Sequence, residues 1–207
     1  ELALADAASV TESIFGTPEQ PKWPVEILDS AAAKTMIGPN SLAAAAGPVF
    51  SDRAGNNFGL FNKHCVNCHA LSGSGRGAAS VFQNPYPRDF RPGVFKWKHT
   101  QRNAHPTRDG LAATLHNGIP GTGMPSFALL SELDDVMLTE YTMYLSIRGE
   151  TERELLALAV DAARERATLG EISSAMEAEF GRYGTTPTPV KGIYGAAYAE
   201  DNRYGQV

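Results

Sequence analysis

The chain has 207 residues, 43% of them hydrophobic and 20% charged, so it can bury one modest core with extensions but is too short for a large multidomain enzyme. Its 18 basic and 23 acidic residues give a formal net charge of −5 with no basic run, which argues against nucleic-acid binding through phosphate neutralisation. No stretch approaches the roughly 20 consecutive apolar residues of a membrane-spanning helix, and Glu1 to Val10 lack the pattern of a signal peptide.

Residues 1–47 combine alanine-rich stretches with prolines that interrupt any long helix. We predict an N-terminal extension of short helices that wraps over the surface of the domain that follows. Because the chain begins with Glu1 rather than Met, we expect that a targeting or anchoring segment was removed before this residue, although a trimmed sequence would look the same.

The two cysteines of the chain, Cys65 and Cys68, are followed directly by His69. The preceding Gly55–Lys63 segment mixes apolar and polar residues and predicts a short amphipathic helix. A closed zinc site needs four Cys or His ligands, and the sequence has no second C-x-x-C to complete one. A thioredoxin-like redox pair needs a βαβ pattern, and the flanking sequence has no β-branched runs. The favoured interpretation is covalent attachment of one haem through both thiols, with His69 as an axial iron ligand.

The segment after His69 is expected to lie along the haem. Ser72–Gly77 is glycine-rich but lacks the strand and G-K-[ST] ending of a phosphate-binding loop, so we expect its backbone to pack on the haem. The prolines of Asn84–Pro92 exclude a helix, and a backbone carbonyl of this run is expected to accept the Nδ1 proton of His69. Buried haem propionates need donors. The candidate donors are Tyr86, Arg88, Arg91 and Trp97.

A sixth iron ligand is expected in the loop Ile119–Phe127, because its glycines and prolines exclude a regular helix and can bring Met124 close to a flat ring. A thioether ligand favours reduced iron and raises the reduction potential. His116 is the rival ligand and would lower the potential. His64 is expected to face solvent or the propionates, and His99 and His105 are expected to face water in a polar loop. The remaining methionines are more simply read as packing residues: Met36, Met137, Met143 and Met176.

One helix is predicted after the methionine loop. Ser131 offers an N-cap, with a carboxylate three residues later at Asp134. Apolar residues then recur at helical spacing up to Gly149: Leu133, Val136, Met137, Tyr141, Tyr144 and Leu145.

Further helices are predicted beyond this point. Thr151–Glu154 matches a capping box and predicts a new helix to about Leu169, which Gly170 breaks before a second short helix at Glu171–Phe180. The rest of the chain is rich in Gly, Pro and Tyr, a composition typical of a segment that stays disordered or docks on another subunit. Its tyrosines favour a protein partner.

Residues 48–150 resemble a monohaem class I cytochrome c, in which a helix enters C-x-x-C-H, a loop of G-x-M-P type supplies methionine and a C-terminal helix crosses the first. The resemblance implies an all-α fold around one covalent haem c. It also implies that Phe61 packs on Tyr141 and Tyr144 where the helices cross. The expected layout is an N-terminal extension (1–47), a haem domain (48–150), a C-terminal helical extension (151–182) and an irregular tail (183–207).

The same resemblance implies an electron-transfer protein rather than an enzyme, either a periplasmic carrier or the cytochrome c subunit of a membrane respiratory complex. Its expected partners are redox proteins, together with subunits that contact residues 1–47 and 151–207. Membrane association would then come from a partner or a removed anchor. Two alternatives stay open: a haem protein with an open distal site, acting as a gas sensor or redox enzyme subunit, and a mainly structural subunit.

Overall fold

The computed structural model describes residues 2–98, 100–102 and 104–180, and the predicted all-α fold is confirmed. The irregular tail predicted at residues 183–207, with the partner contact expected there, lies outside the described residues. The helices are α1 (Leu2–Phe15), α2 (Ala31–Lys34), α3 (Pro39–Ala46), α4 (Leu60–His64), α5 (Val66–His69), a 3₁₀ turn (Ser80–Phe82), α6 (Arg108–Asn117), α7 (Glu132–Arg164) and α8 (Leu169–Phe180). Strands β1 (Phe50–Ser51) and β2 (Asn57–Phe58) form an antiparallel pair. Within the described ranges, no helix combines the length and apolarity needed to cross a membrane.

The N-terminal extension is part of the core, which corrects the prediction that it wraps over the surface. Val10, Ile14 and Phe15 of α1 are buried together with Trp23, because α1 packs against α7 and α8. Burying these side chains removes apolar surface from water and so stabilises the fold. The sequence of α1 does not indicate which elements it packs against, because both partner helices lie more than a hundred residues further along the chain.

Side chains of α7 hold the turn that follows α1. The Tyr144 hydroxyl donates a hydrogen bond to the backbone oxygen of Phe15 at 2.8 Å, and Arg148 Nε donates to the oxygen of Gly16 at 3.1 Å. The Gly16 carbonyl, just beyond the end of α1, thereby gains a partner, and the Phe15 carbonyl also accepts from the Lys22 amide at 2.7 Å. The bonds from Tyr144 and Arg148 fix the end of α1 against α7.

The crossing of α4 and α7 is built from aromatic rings, as predicted. The Phe61 and Tyr141 ring centroids lie 4.9 Å apart, and those of Tyr141 and Tyr144 lie 5.5 Å apart. All three side chains are at most 1% exposed. The Tyr141 hydroxyl still reaches a partner, because it donates to the Pro18 carbonyl at 2.5 Å.

The helix before the cysteines is shorter than predicted. The sequence pattern favours a helix over Gly55–Lys63, whereas α4 begins at Leu60 and the residues before it form the β1–β2 hairpin. The Asp52 carboxylate causes this turn, because it accepts hydrogen bonds from the amides of Ala54 and Asn56, both at 2.9 Å. The residues after the turn are therefore committed to strand pairing.

Helix α7 is one helix of 33 residues that runs through the predicted domain boundary, so the prediction of a new helix at Thr151–Glu154 is wrong. It begins at the predicted cap, where Ser131 Oγ accepts a hydrogen bond from the Asp134 amide at 3.1 Å. Gly149 does not end it. An added Cβ at Gly149 would lie 2.5 Å from the Cβ of Arg91, so this glycine allows a neighbouring loop to approach the helix.

Helix α8 confirms the predicted second short helix, but the break before it precedes Gly170. Helix α7 ends at Arg164, and α8 begins at Leu169. The cap is a reciprocal pair: the Thr168 amide donates to Glu171 Oε2 at 2.8 Å, and the Glu171 amide donates to Thr168 Oγ1 at 3.2 Å. Gly170 therefore lies in the first turn of a capped helix.

We expect Gly149→Ala and Gly170→Ala to change stability in opposite directions. In a helix interior, alanine is ordinarily more stable than glycine by about 0.5–1 kcal/mol. A methyl group at Gly149 would collide with Arg91, so this variant should lose about 1–3 kcal/mol of unfolding free energy. No atom lies within 4 Å of the Cβ position at Gly170, so that variant is the control and should gain stability. Urea unfolding measures both, and equal effects would contradict the packing.

Candidate functional site

A cavity of about 1210 Å³, a volume that includes space open to solvent, lies between α5, α6, α7 and the loops around residues 83–97 and 119–127. Its lining is largely apolar and includes Pro85, Phe90, Phe95, Leu111, Leu115 and Phe127. The predicted site residues that line it are Cys65, Cys68, His69, Tyr86, Arg88, Trp97 and Met124. Arg91 is the predicted site residue that does not.

The two cysteines lie at the wall of this cavity and are not joined in a disulfide. Burial, aided by the neighbouring Cys68, raises the pKa of the Cys65 thiol to about 12, so this group is a neutral thiol at physiological pH. Among the described residues, no cluster of three or more His, Cys, Asp or Glu side chains could hold a metal ion. Two cysteines beside an apolar cavity, with no further metal-ligating cluster among the described residues, suit a partner that adds to them covalently better than a closed zinc site.

His69 is buried at 7% exposure and its ring has a fixed orientation. Its Nδ1 lies 3.0 Å from the Arg88 carbonyl, and its ring stacks on Phe90 with centroids 4.4 Å apart. A carbonyl oxygen only accepts, so Nδ1 carries the proton and Nε2 keeps a free electron pair. Burial lowers the pKa of His69, while the Arg88 bond opposes this shift. The predicted carbonyl partner in Asn84–Pro92 is thus confirmed, and it belongs to Arg88.

The glycine-rich loop Ser72–Gly77 packs closely on neighbouring backbone, and its packing on the haem stays a prediction. None of its residues lines the cavity. The Gly75 amide donates to the His69 carbonyl at 3.0 Å, and any side chain at Gly75 would collide with the backbone of Pro87. The loop therefore needs glycine so that the segment carrying the Arg88 carbonyl can come close to His69.

Met124 is presented by a loop that is bonded to the end of α6. The Ile119 amide donates to the Met124 carbonyl at 3.1 Å, and the Met124 amide donates to Thr122 Oγ1 at 3.1 Å. The Phe127 amide returns to the Leu115 carbonyl at 3.2 Å. These bonds hold the loop in a compact turn, and the half-buried Met124 side chain lines the cavity.

The predicted propionate donors divide into two groups. Arg88 lines the cavity, and Tyr86 and Trp97 do so while remaining 72% and 61% exposed, so they lie at its mouth. Arg91 instead forms a bidentate pair with Asp89, at 3.0 Å from Nε and 2.8 Å from the terminal nitrogen. Tyr86, Arg88 and Trp97 therefore line the cavity, whereas the Arg91 side chain binds the Asp89 carboxylate.

The two other histidines near the site differ in whether they line the cavity. His116, the rival ligand, is exposed, lies 3.4 Å from Asp135 and does not line the cavity. His64 does line it, with its ring edge-on to Phe127 at 6.0 Å between centroids. His64 ends α4, whereas His69 ends α5, so the C-x-x-C-H motif by itself does not show that His64 also lines the cavity.

Several lining residues were missed by sequence reasoning. Leu111 and Leu115 of α6 are four apart, a helical spacing that could have identified them. Thr139 gave no such signal: it is 2% exposed, and its hydroxyl has no hydrogen-bond partner among the described residues. An orphaned hydroxyl on an apolar wall indicates that a ligand with a polar group belongs in the cavity. The donor set and this hydroxyl fit a haem.

Comparison with known proteins gives one family over the central part of the chain. Residues 53–145 match the family model described as cytochrome C oxidase, cbb3-type, subunit III. Among solved structures, a reducing HAO-like protein complex of Kuenenia stuttgartiensis is similar over 41% of this chain and 38% of its own chain, with 27% identity and a TM-score of 0.40.

Curated relatives match shorter pieces. The methylmalonyl-CoA mutase of Cereibacter sphaeroides is 46% identical over 63 residues, which is 30% of this chain and 9% of the mutase. The mutase of Rhizobium meliloti is 55% identical over 51 residues, 25% of this chain and 7% of its own. The chain thus spans a tenth or less of the length of these relatives, and such partial matches do not show mutase activity.

We expect His64 to make stability depend on pH. Burial lowers its pKa from the ordinary 6.5, Lys63 adds to this effect and Asp134 opposes it. The unfolded chain then binds this proton more readily than the folded protein, so the free energy of unfolding should fall as the pH drops below about 6.5. Wild type should lose stability relative to His64→Gln between about pH 7.5 and about pH 5 in denaturant titrations. Parallel pH profiles of the two proteins would contradict this assignment.

Proposed function

We propose that the chain carries single electrons on one c-type haem bonded to Cys65 and Cys68, with His69 and Met124 as axial ligands. The match of residues 53–145 to a cytochrome c oxidase subunit family and the all-α fold of the described residues support this proposal. When bound, the haem supplies a one-electron iron couple. The residues of this chain attach it, orient the ligands and keep water away from them.

One observation carries the proposal: Cys65, Cys68, His69 and Met124 converge on a single, largely apolar cavity although Met124 lies far from the others in sequence. The Arg88 carbonyl supports the ligand role of His69, because the hydrogen bond at Nδ1 leaves Nε2 as the electron-pair donor. Phe90 stacks on the imidazole and keeps it in this orientation.

Protein ligands on both sides of the iron favour electron transfer over substrate chemistry, since no coordination position is left for a substrate. The mouth of the cavity is bordered by Tyr86 and Trp97, both largely exposed. Exposed aromatic side chains at this place give a redox partner a contact surface close to the cofactor.

We also propose that the protein works as a periplasmic carrier or as the cytochrome c subunit of a respiratory complex. The match to an oxidase subunit family supports this setting. Cell fractionation tests it: a haem-stained band released with the periplasm supports the carrier form, and co-purification with membrane subunits supports the complex. A cytoplasmic band would overturn both.

Met124→Ala should lower the reduction potential by on the order of 0.1 V, a part of the ~0.8 V range that axial ligands control. It should also abolish the far-red sulfur-to-iron absorption and admit carbon monoxide to the reduced protein. Met176→Ala is the matched control, because Met176 packs against the core but does not line the cavity. Redox titration and visible spectra measure both variants.

Wild-type behaviour in the same experiment separates the alternatives. Rapid carbon monoxide binding by wild type, without the sulfur-to-iron band, would replace the electron carrier with a haem protein that has an open distal site. An unchanged potential in Met124→Ala would remove Met124 from the ligand set.

Cys65→Ala and Cys68→Ala should each leave a single thioether bond. The reduced pyridine complex of each variant should then shift toward the spectrum of a haem with one intact vinyl group, and the double variant should release its haem into acidified solvent. Ser72→Ala is a control outside the cavity lining. Mass spectrometry of wild type should show one covalently added haem, and two would contradict the single-haem proposal.

A further inference from the structure

A buried carboxylate on α7 has no part in the function proposed above. Glu140 is 6% exposed, and each of its oxygens has a donor. Oε1 accepts from a terminal nitrogen of Arg108 at 2.5 Å, and Oε2 accepts from the amide of Gly38 at 2.8 Å. The other terminal nitrogen of Arg108 donates to the carbonyl of Met36. The Glu140 carboxylate therefore joins α7 to the start of α6 and to residues 36–38 of the N-terminal extension.

Arg108 connects this charge to the methionine loop. It is the first residue of α6, whose side chains Leu111 and Leu115 line the cavity. The loop that begins where α6 ends is bonded back to it, since the Phe127 amide donates to the Leu115 carbonyl and the Met124 carbonyl accepts from the first residue of the loop. Helix α6 and the loop thus form one unit, which carries Met124 at one end and Arg108 at the other.

Two ion pairs fix this unit against α7, and they are unequal. The Arg108 and Glu140 side chains are 40% and 8% exposed, and the His116 and Asp135 side chains are 52% and 16% exposed. The first pair is shorter, at 2.5 Å against 3.4 Å, and the second attracts only when the histidine is protonated, whereas arginine is always charged. Glu140 also accepts from the Gly38 amide, so its carboxylate links α6 to the N-terminal extension as well as to α7. The Glu140 junction is therefore the stronger of these two ionic links between α6 and α7.

We propose that Glu140 is a positioning residue for Met124, and that residues 36–38 of the N-terminal extension help to set how tightly the methionine closes the sixth iron position. This inference rests on the proposed His69 and Met124 ligation. It assigns the extension a role in tuning the site in addition to the packing of α1 on α7 and α8.

The test compares Glu140→Gln with Glu154→Gln in the full-length, haem-loaded protein. Glu154 is the matched control, because it also lies on α7 and pairs with an arginine but its side chain is 64% exposed. The probe is imidazole, which competes with Met124 for oxidised iron. Glu140→Gln should bind imidazole about tenfold more tightly, which corresponds to ~1.4 kcal/mol less methionine binding. The control should bind it like wild type.

The reduction potential distinguishes positioning from a simple change of charge. Removing a negative charge would by itself favour reduced iron and raise the potential. A weakened methionine bond lowers it. A fall in the potential together with a weaker sulfur-to-iron band supports the proposal, whereas a rise with unchanged imidazole affinity overturns it.

Arg108→Lys keeps the test decisive if Glu140→Gln fails to fold. Lysine retains the charge but lacks the planar fork that reaches both Glu140 and Met36. This variant should show a smaller change of the same sign, and wild-type imidazole affinity in it overturns the proposal. If wild type itself lacks the sulfur-to-iron band, the ligation and this inference both fail. If wild type has the band and neither variant differs from it, only the positioning role fails.

Discussion

The hydrogen bond between His69 Nδ1 and the Arg88 carbonyl is the constraint on which the rest of the site depends. It fixes the tautomer, and thus which ring nitrogen is free to bind a metal. It also joins the cysteine motif to the proline-rich segment that forms another wall of the cavity. Gly75 makes this approach possible, since a larger residue would separate the two segments. The hydrogen bond between His69 and the Arg88 carbonyl therefore brings the cysteine motif and the proline-rich segment together as two walls of the cavity.

Helix α7 supports the site from the opposite direction. Its Tyr141 packs on Phe61 just before the cysteines, and its Tyr144 packs on Phe15 at the end of α1. The same helix contributes Thr139 to the cavity and Glu140 to the junction with the N-terminal extension. The core of the fold and the candidate haem site therefore share one helix, and a disturbance of its packing acts on both.

Local patterns could be predicted from the sequence, and distant packing could not. The cysteine motif, the loop of Met124 and the cap at Ser131 each depend on residues within a few positions of one another. The burial of α1 and the continuity of α7 depend on partners far along the chain. Arg91 illustrates the difference, because its packing on Gly149 joins residues far apart in the chain and arises only in the folded protein.

Helix α7 lines the cavity near its start and, because it is unbroken, carries its other end far from the cavity. From Thr142, which lines the cavity, to Arg164 at its end, the helix spans about 33 Å at ~1.5 Å per residue. A protein held at that far end would stand well away from the cavity mouth. The far end of α7 and the cavity mouth are therefore separate surfaces, and a contact at one does not cover the other.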